Sequence, residues 1–200
     1  MKKLLLIGIL LGAIIAQAQN GYEVGDVAAD FSLKNIDGEM VSMADMADAK
    51  GFIVVFTCNH CPYAKLYEDR IIELDNEFKE KGYPVIAINP NDPKAYPEDS
   101  YDNMIKRHKN KGFTFPYLLD ETQDIARTYG ATRTPHTYLL TKVDGELKVA
   151  YIGAIDDNAR DENGVEETFL SNAINSLIAG KPIDKTFTRA VGCTIKWTDS

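Results

Sequence analysis

Cys58 and Cys61 stand as Cys58-Asn59-His60-Cys61, and a third cysteine, Cys193, lies far from both. A disulfide at the short spacing closes a loop of four residues. Loop entropy makes such a bridge worth only about 2 kcal/mol, against nearly 5 for a loop of about 100 residues. A link that stabilises so little reads as a reversible dithiol–disulfide couple rather than a staple. Half of a structural zinc site is the duller alternative, but a second C-x-x-C or a paired histidine cluster does not accompany it. Three cysteines cannot all pair within one chain. For Cys193 three readings stand: a free buried thiol, a further resolving cysteine, or a site of intermolecular pairing.

The segments around the motif say how it is held. Gly51 to Thr57 is an uncharged, β-branched and aromatic run, the pattern of a strand buried on both faces. After Pro62, the residues Tyr67, Ile71, Leu74 and Phe78 recur at steps of four, three and four, which predicts a helix ending near Gly82. The motif therefore sits where a strand becomes a helix. A helix start offers free N–H groups and partial positive charge, so Cys58 is expected to be the exposed, attacking sulfur with a lowered pKa. His60 has two readings, a group that stabilises the Cys58 thiolate or a solvated histidine in a helix cap.

Further along, strand and helix alternate, which predicts one α/β domain over residues 19–200. Tyr83 to Asn89 reads as a second buried strand. Glu98 to Lys109 reads as a helix with Tyr101, Met104, Ile105 and His108 on one face, His108 being a packed histidine. Phe115–Leu119 is a short strand and Thr122–Tyr129 a short helix stopped by Gly130. Thr137–Thr141 and Leu147–Ile152 flank Asp144-Gly145, a hairpin signal. A last helix carries a stripe from Val165 to Ile178 and stops at Gly180.

These pieces resemble the thioredoxin-like superfamily, in the AhpC/TSA-related branch that joins peroxiredoxin-like proteins to exported thiol–disulfide oxidoreductases. The run Val24 to Leu33 with Asp37-Gly38 is similar to the peroxiredoxin N-terminal extension, although Ala29 stands where that family usually has proline. Cys58 to Cys61 after an apolar strand matches the redox motif. Thr134-Pro135 before Thr137-Tyr138-Leu139-Leu140 resembles the threonine and cis-proline that face it. The stretches Phe56 to Tyr63 and Gly192 to Trp197 together are similar to a peroxiredoxin-like group, and the likeness runs over about residues 24–197.

The resemblance implies a central mixed β-sheet flanked by helices. It also implies that Cys58 and Cys61 are catalytic, with Asn59, His60, Thr134 and Pro135 in support. Cys58 would attack a partner disulfide and Cys61 would resolve the mixed disulfide. A cis Pro135 would hold the Thr134 backbone against Cys58 and let it pair with an extended substrate strand. Two departures matter. Phe52 stands where many thioredoxins bury an aspartate that serves the resolving cysteine, and Thr57 replaces the usual tryptophan, so proton handling must come from elsewhere.

Two other function classes compete. The peroxiredoxin pattern P-x-x-x-T-x-x-C, counted back from Cys61, meets Cys58 at the threonine and Val54 at the proline, so a peroxidase would lack both supports. A copper(I) carrier would use Cys58, Cys61 and a histidine such as His136. No cofactor or resident metal is expected.

Composition bounds the setting. Thirty Asp and Glu against 22 Lys and Arg give a net charge of −8, which argues against a nucleic-acid partner. Met1-Lys2-Lys3, the apolar run Leu4–Ala16 and Ala16-Gln17-Ala18 form the three-part pattern of a cleavable signal peptide over residues 1–18. Thirteen apolar residues are too few to span a bilayer, which takes about 20. Cleavage would remove Lys2 and Lys3 and no acid, taking the net charge from −8 to −10. The expectation is a periplasmic or secreted protein without stable membrane insertion. Its partners would be thiols and disulfides of cell-envelope proteins and a further redox protein.

Overall fold

The computed structural model describes residues 21–198, so the expected signal peptide falls outside the described residues. A seven-stranded sheet runs in the order β2 (Met40–Ser42), β1 (Ser32–Asn35), β5 (Tyr117–Leu119), β4 (Val85–Asn89), β3 (Gly51–Phe56), β7 (His136–Val143), β8 (Glu146–Gly153). β3, β4 and β5 are parallel neighbours, while β7 lies antiparallel to β3. The helices are α1 (Pro62–Phe78), α2 (Tyr101–Lys111), α3 (Asp124–Tyr129) and α4 (Phe169–Ile178). A separate two-stranded ladder joins β6 (Arg133–Thr134) to β9 (Cys193–Thr194). This is the mixed sheet with flanking helices expected of a thioredoxin-like chain.

Every residue of β3 is buried, and successive side chains feed opposite faces of the sheet. Phe52, Val54 and Phe56 pack with Phe31, Tyr129 and Tyr138 on one side. Ile53 and Val55 meet Tyr67, Ile71, Leu74 and Phe78 of α1 and Leu170 and Ile174 of α4 on the other. The heptad-like spacing read in α1 is therefore its core face. Asp144 and Gly145 both take positive φ, 52° and 86°, as a tight turn matched to strand twist requires. Around it β7 and β8 pair antiparallel, longer at both ends than their apolar runs suggest.

Three helices start later than the sequence predicts, α3 by two residues and α2 and α4 by three and four. Pro97–Asp99 forms a separate 3₁₀ turn, so α2 begins at Tyr101; Met104 is buried, whereas Ile105 is exposed. His108 packs edge-on against Phe113. Glu162–Gly164 likewise forms its own turn, held by the Asp161 side chain accepting from Asn163 N–H, and leaves Val165 outside α4. At the second of these turns a polar side chain binds the backbone locally and competes with the helix.

Candidate active site

The buried strand β3 ends at Phe56, and α1 begins at Pro62, so the intervening turn presents Cys58 and Cys61 at the C-terminal edge of the parallel strands. Pro62 occupies the first helical position, where no backbone donor is required. Facing the turn is the Thr134-Pro135 bond, which is cis as the resemblance implied. Cys58 Sγ lies 3.3 Å from Thr134 Oγ1, and Cys61 Sγ lies 3.2 Å from the Thr134 carbonyl oxygen. The distant threonine thus touches both sulfurs of the motif.

The disulfide is formed by Cys61 and Cys193, whose Cα atoms are 6.0 Å apart, and Cys58 remains a free thiol. This replaces the reading of Cys193 as a free buried thiol. β9 brings it there by pairing with β6, with Thr134 opposite Cys193. Gly192 is needed for that approach, because a Cβ there would sit 2.3 Å from the Thr134 oxygen. The ladder also corrects the role expected of Thr134. Its backbone edge pairs with the chain's own β9 rather than standing open for a substrate strand.

Cys58 is only 2% exposed, so it is not the exposed sulfur that a helix start suggests. Its pKa is pushed up from 9.0 to about 11, first by burial and then by the negative charge of Asp99. Hydrogen bonds from Thr134 and from the backbone of Cys61 and His60 pull the other way and lose. The helix start therefore does not govern this thiol while the Cys61–Cys193 disulfide is in place.

Asp99 is the residue that sequence reasoning missed. It is fully buried, and its Oδ1 accepts the N–H groups of Asn59 at 2.7 Å and His60 at 3.0 Å. Its Oδ2 accepts from Asn91 Nδ2 at 2.8 Å and makes a short contact with His60 Nδ1. Asn59 is held at both ends, donating to the Glu98 carbonyl at 2.9 Å and accepting from Tyr117 Oη at 3.0 Å. His60 stacks on Tyr96 at 4.2 Å, with its Nδ1 3.8 Å from Cys58 Sγ. It is thus a clamped, half-buried ring rather than a solvated cap residue. One signal pointed here: a polar Asn-Asp-Pro loop following a strand that carries Asn89 at its C-terminal end.

Alkylation of Cys58 in this disulfide form is expected to rise with pH toward about 11, and Asp99→Asn to move the rise to lower pH by removing the charge. Iodoacetamide labelling followed by peptide mapping measures both. Identical profiles for the two proteins would show that Asp99 does not act on the thiol.

Among the described residues, Cys58, His60 and Asp99 bring ligand atoms within 4.8 Å of one another, a set able to hold a thiophilic ion. The copper arrangement with Cys61 and His136 is not formed. Cys61 is bonded to Cys193, and His136 Nδ1 accepts the Thr132 N–H at 3.3 Å. His136 is buried beside Tyr138, and burial, helped by nearby Arg133, lowers its pKa from 6.5 to about 4. The unfolded chain protonates this group near pH 6.5 and the folded one only near 4. Its contribution is complete above pH 6.5 and lost as pH falls toward 4, amounting to about 3 kcal/mol. Urea unfolding between pH 7 and 4 should lose that stability, and His136→Gln should lose less.

A profile of the AhpC/TSA family matches residues 24–152, which contain Cys58, Cys61, Thr134 and Pro135 and end before Cys193. The chain is 26% identical over 138 residues to the thiol-disulfide oxidoreductase ResA of Halalkalibacterium halodurans, covering 69% of this chain and 73% of that one. Over 90% of its length it superimposes on 95% of an uncharacterized conserved protein from Geobacillus kaustophilus, with a TM-score of 0.82 at 38% identity. A putative thiol:disulfide interchange protein DsbE from Chlorobium tepidum shares the fold, with a TM-score of 0.61 at 21% identity over 78% of this chain and 98% of that one. Because the profile spans more than half of the residues and includes the cysteine motif, the chain belongs to the AhpC/TSA family, as an oxidoreductase of thioredoxin-like fold.

Proposed function

We propose that this protein is exported and exchanges disulfides with thiols of partner proteins in the cell envelope through Cys58 and Cys61. The observation that carries the reading is the position of Thr134, which touches both sulfurs at the strand–helix turn. In the reduced protein, Cys58 attacks a partner disulfide and forms a mixed disulfide. Cys61 then attacks Cys58 Sγ, the partner leaves as a thiolate, and two electrons have passed from the cysteine pair to the partner. The names of the ResA relatives support this chemistry, and the basic-apolar-small pattern of residues 1–18 supports export.

The test is equilibration of the purified protein in graded thiol–disulfide buffers, with acid quenching, alkylation and intact-mass counting. A reversible two-electron couple involving Cys58 and Cys61 is expected. A potential near about −120 to −180 mV would mark a disulfide donor, and about −270 mV or below a reductant. Absence of any reversible Cys58–Cys61 disulfide, or turnover of hydrogen peroxide in place of protein disulfides, would overturn the reading.

A further inference from the structure

We propose that Cys193 is a third redox residue, which takes Cys61 from Cys58 and so moves the disulfide from the buried turn to the half-exposed C-terminal segment. This extends the Cys58–Cys61 reading and rests on it.

Three observations converge. Cys61 is bonded to Cys193 while Cys58, its neighbour in the motif, is free, so the sulfur that the two-cysteine reading pairs with Cys58 is also within bonding reach of Cys193. The three sulfurs differ in access: Cys58 and Cys61 are buried, whereas Cys193 is half-buried. The segment bearing Cys193 is fastened independently of the disulfide. Ile195 is buried and donates to the Thr132 carbonyl at 3.3 Å, while Lys196 donates to Asn91 Oδ1 at 2.9 Å and its carbonyl accepts from Gln123 Nε2 at 2.8 Å. Asn91 also donates to Asp99, so one side chain joins the segment to the group beside Cys58. The segment therefore stays at the site when the disulfide opens.

The step is an exchange with no net oxidation. The Cys193 thiolate attacks Cys61 Sγ of the Cys58–Cys61 disulfide, the Cys61–Cys193 bond forms, and Cys58 leaves as the thiolate. The proton that Cys193 gave up is balanced by one taken up at Cys58. Burial and Asp99 keep the released Cys58 protonated, which slows its attack in the return direction and, by the same measure, its departure in the forward one. An external thiol can then reduce the disulfide through the accessible Cys193 sulfur.

The test starts from reduced protein treated with substoichiometric oxidised glutathione, quenched at intervals with acid and mapped by mass spectrometry. Cys58–Cys61 should appear first and give way to Cys61–Cys193 with Cys58 free. Cys193→Ser should stop at Cys58–Cys61 and be reduced by glutathione at least tenfold more slowly than the wild type. Cys58→Ser, which retains the other pair, should form Cys61–Cys193 directly and covers the case in which Cys193→Ser does not fold. Persistence of Cys58–Cys61 with Cys193 free in the wild type would overturn the proposal and leave the two-cysteine reading standing. So would equal reduction rates for wild type and Cys193→Ser. Failure to detect Cys58–Cys61 in either the wild type or Cys193→Ser would overturn the two-cysteine reading itself.

Discussion

Oxidised protein carrying Cys193→Ala is expected to be less stable than the oxidised wild type by about 3 to 5 kcal/mol. The Cys61–Cys193 bond joins residues 132 positions apart. Closing a loop of that length in the unfolded chain is worth about 5 kcal/mol by loop entropy, and the four-residue loop available to Cys58 and Cys61 about 2. The upper figure applies if the variant stays reduced, and the lower if the short bridge takes over. Urea denaturation under non-reducing conditions measures the difference. Adding a reductant should bring the two proteins close together, because neither then holds a bridge. Matching midpoints without reductant would mean that the C-terminal ladder alone, and not the bond, carries the attachment.

The second large effect is on activity. Cys58→Ser should reduce turnover of a protein disulfide by on the order of 10³-fold or more, the scale on which loss of an enzyme's nucleophile is felt. Its remaining thiols pair with each other, as the Cys61–Cys193 bond does here, so no sulfur is left at the turn to open a partner disulfide. The same variant should keep most of its stability, since serine is close in size to the cysteine it replaces and Cys58 lies outside the bridge. Turnover is read with a scrambled or disulfide-bonded test protein, and stability by thermal unfolding. Near-wild-type turnover would transfer the nucleophile's role to another sulfur.

Much of the scaffold was legible in the chain, because apolar periodicity reports directly on burial. The uncharged strand β3, the four-residue beat of α1 and the Asp144-Gly145 turn each express one local rule, and each appears where expected. The cysteine motif could be read from its place between a strand and a helix, whereas the proline facing it came from the resemblance to thioredoxin-like chains. Local rules failed where groups distant in sequence meet. A helix start favours a thiolate, but burial and a carboxylate 41 positions away prevail at Cys58. Asp99 sits in a turn that breaks the expected helix, and no periodicity marks a residue whose partners are backbone N–H groups elsewhere. Cys193 was visible as a cysteine but not as a neighbour, because a two-residue strand has no pattern to read.

The distance along the chain between Cys61 and Cys193 also sets an order in time. Ribosomes add about 5–20 residues per second, so the 132 positions between the two cysteines separate their appearance by roughly ten seconds. During that interval Cys58 and Cys61 have only each other. A nascent chain meeting an oxidant early can make only the short bridge, and the long one must wait until residue 193 has been made. The bond that ties the strand–helix turn to the C-terminal segment is thus a record that translation has passed residue 193.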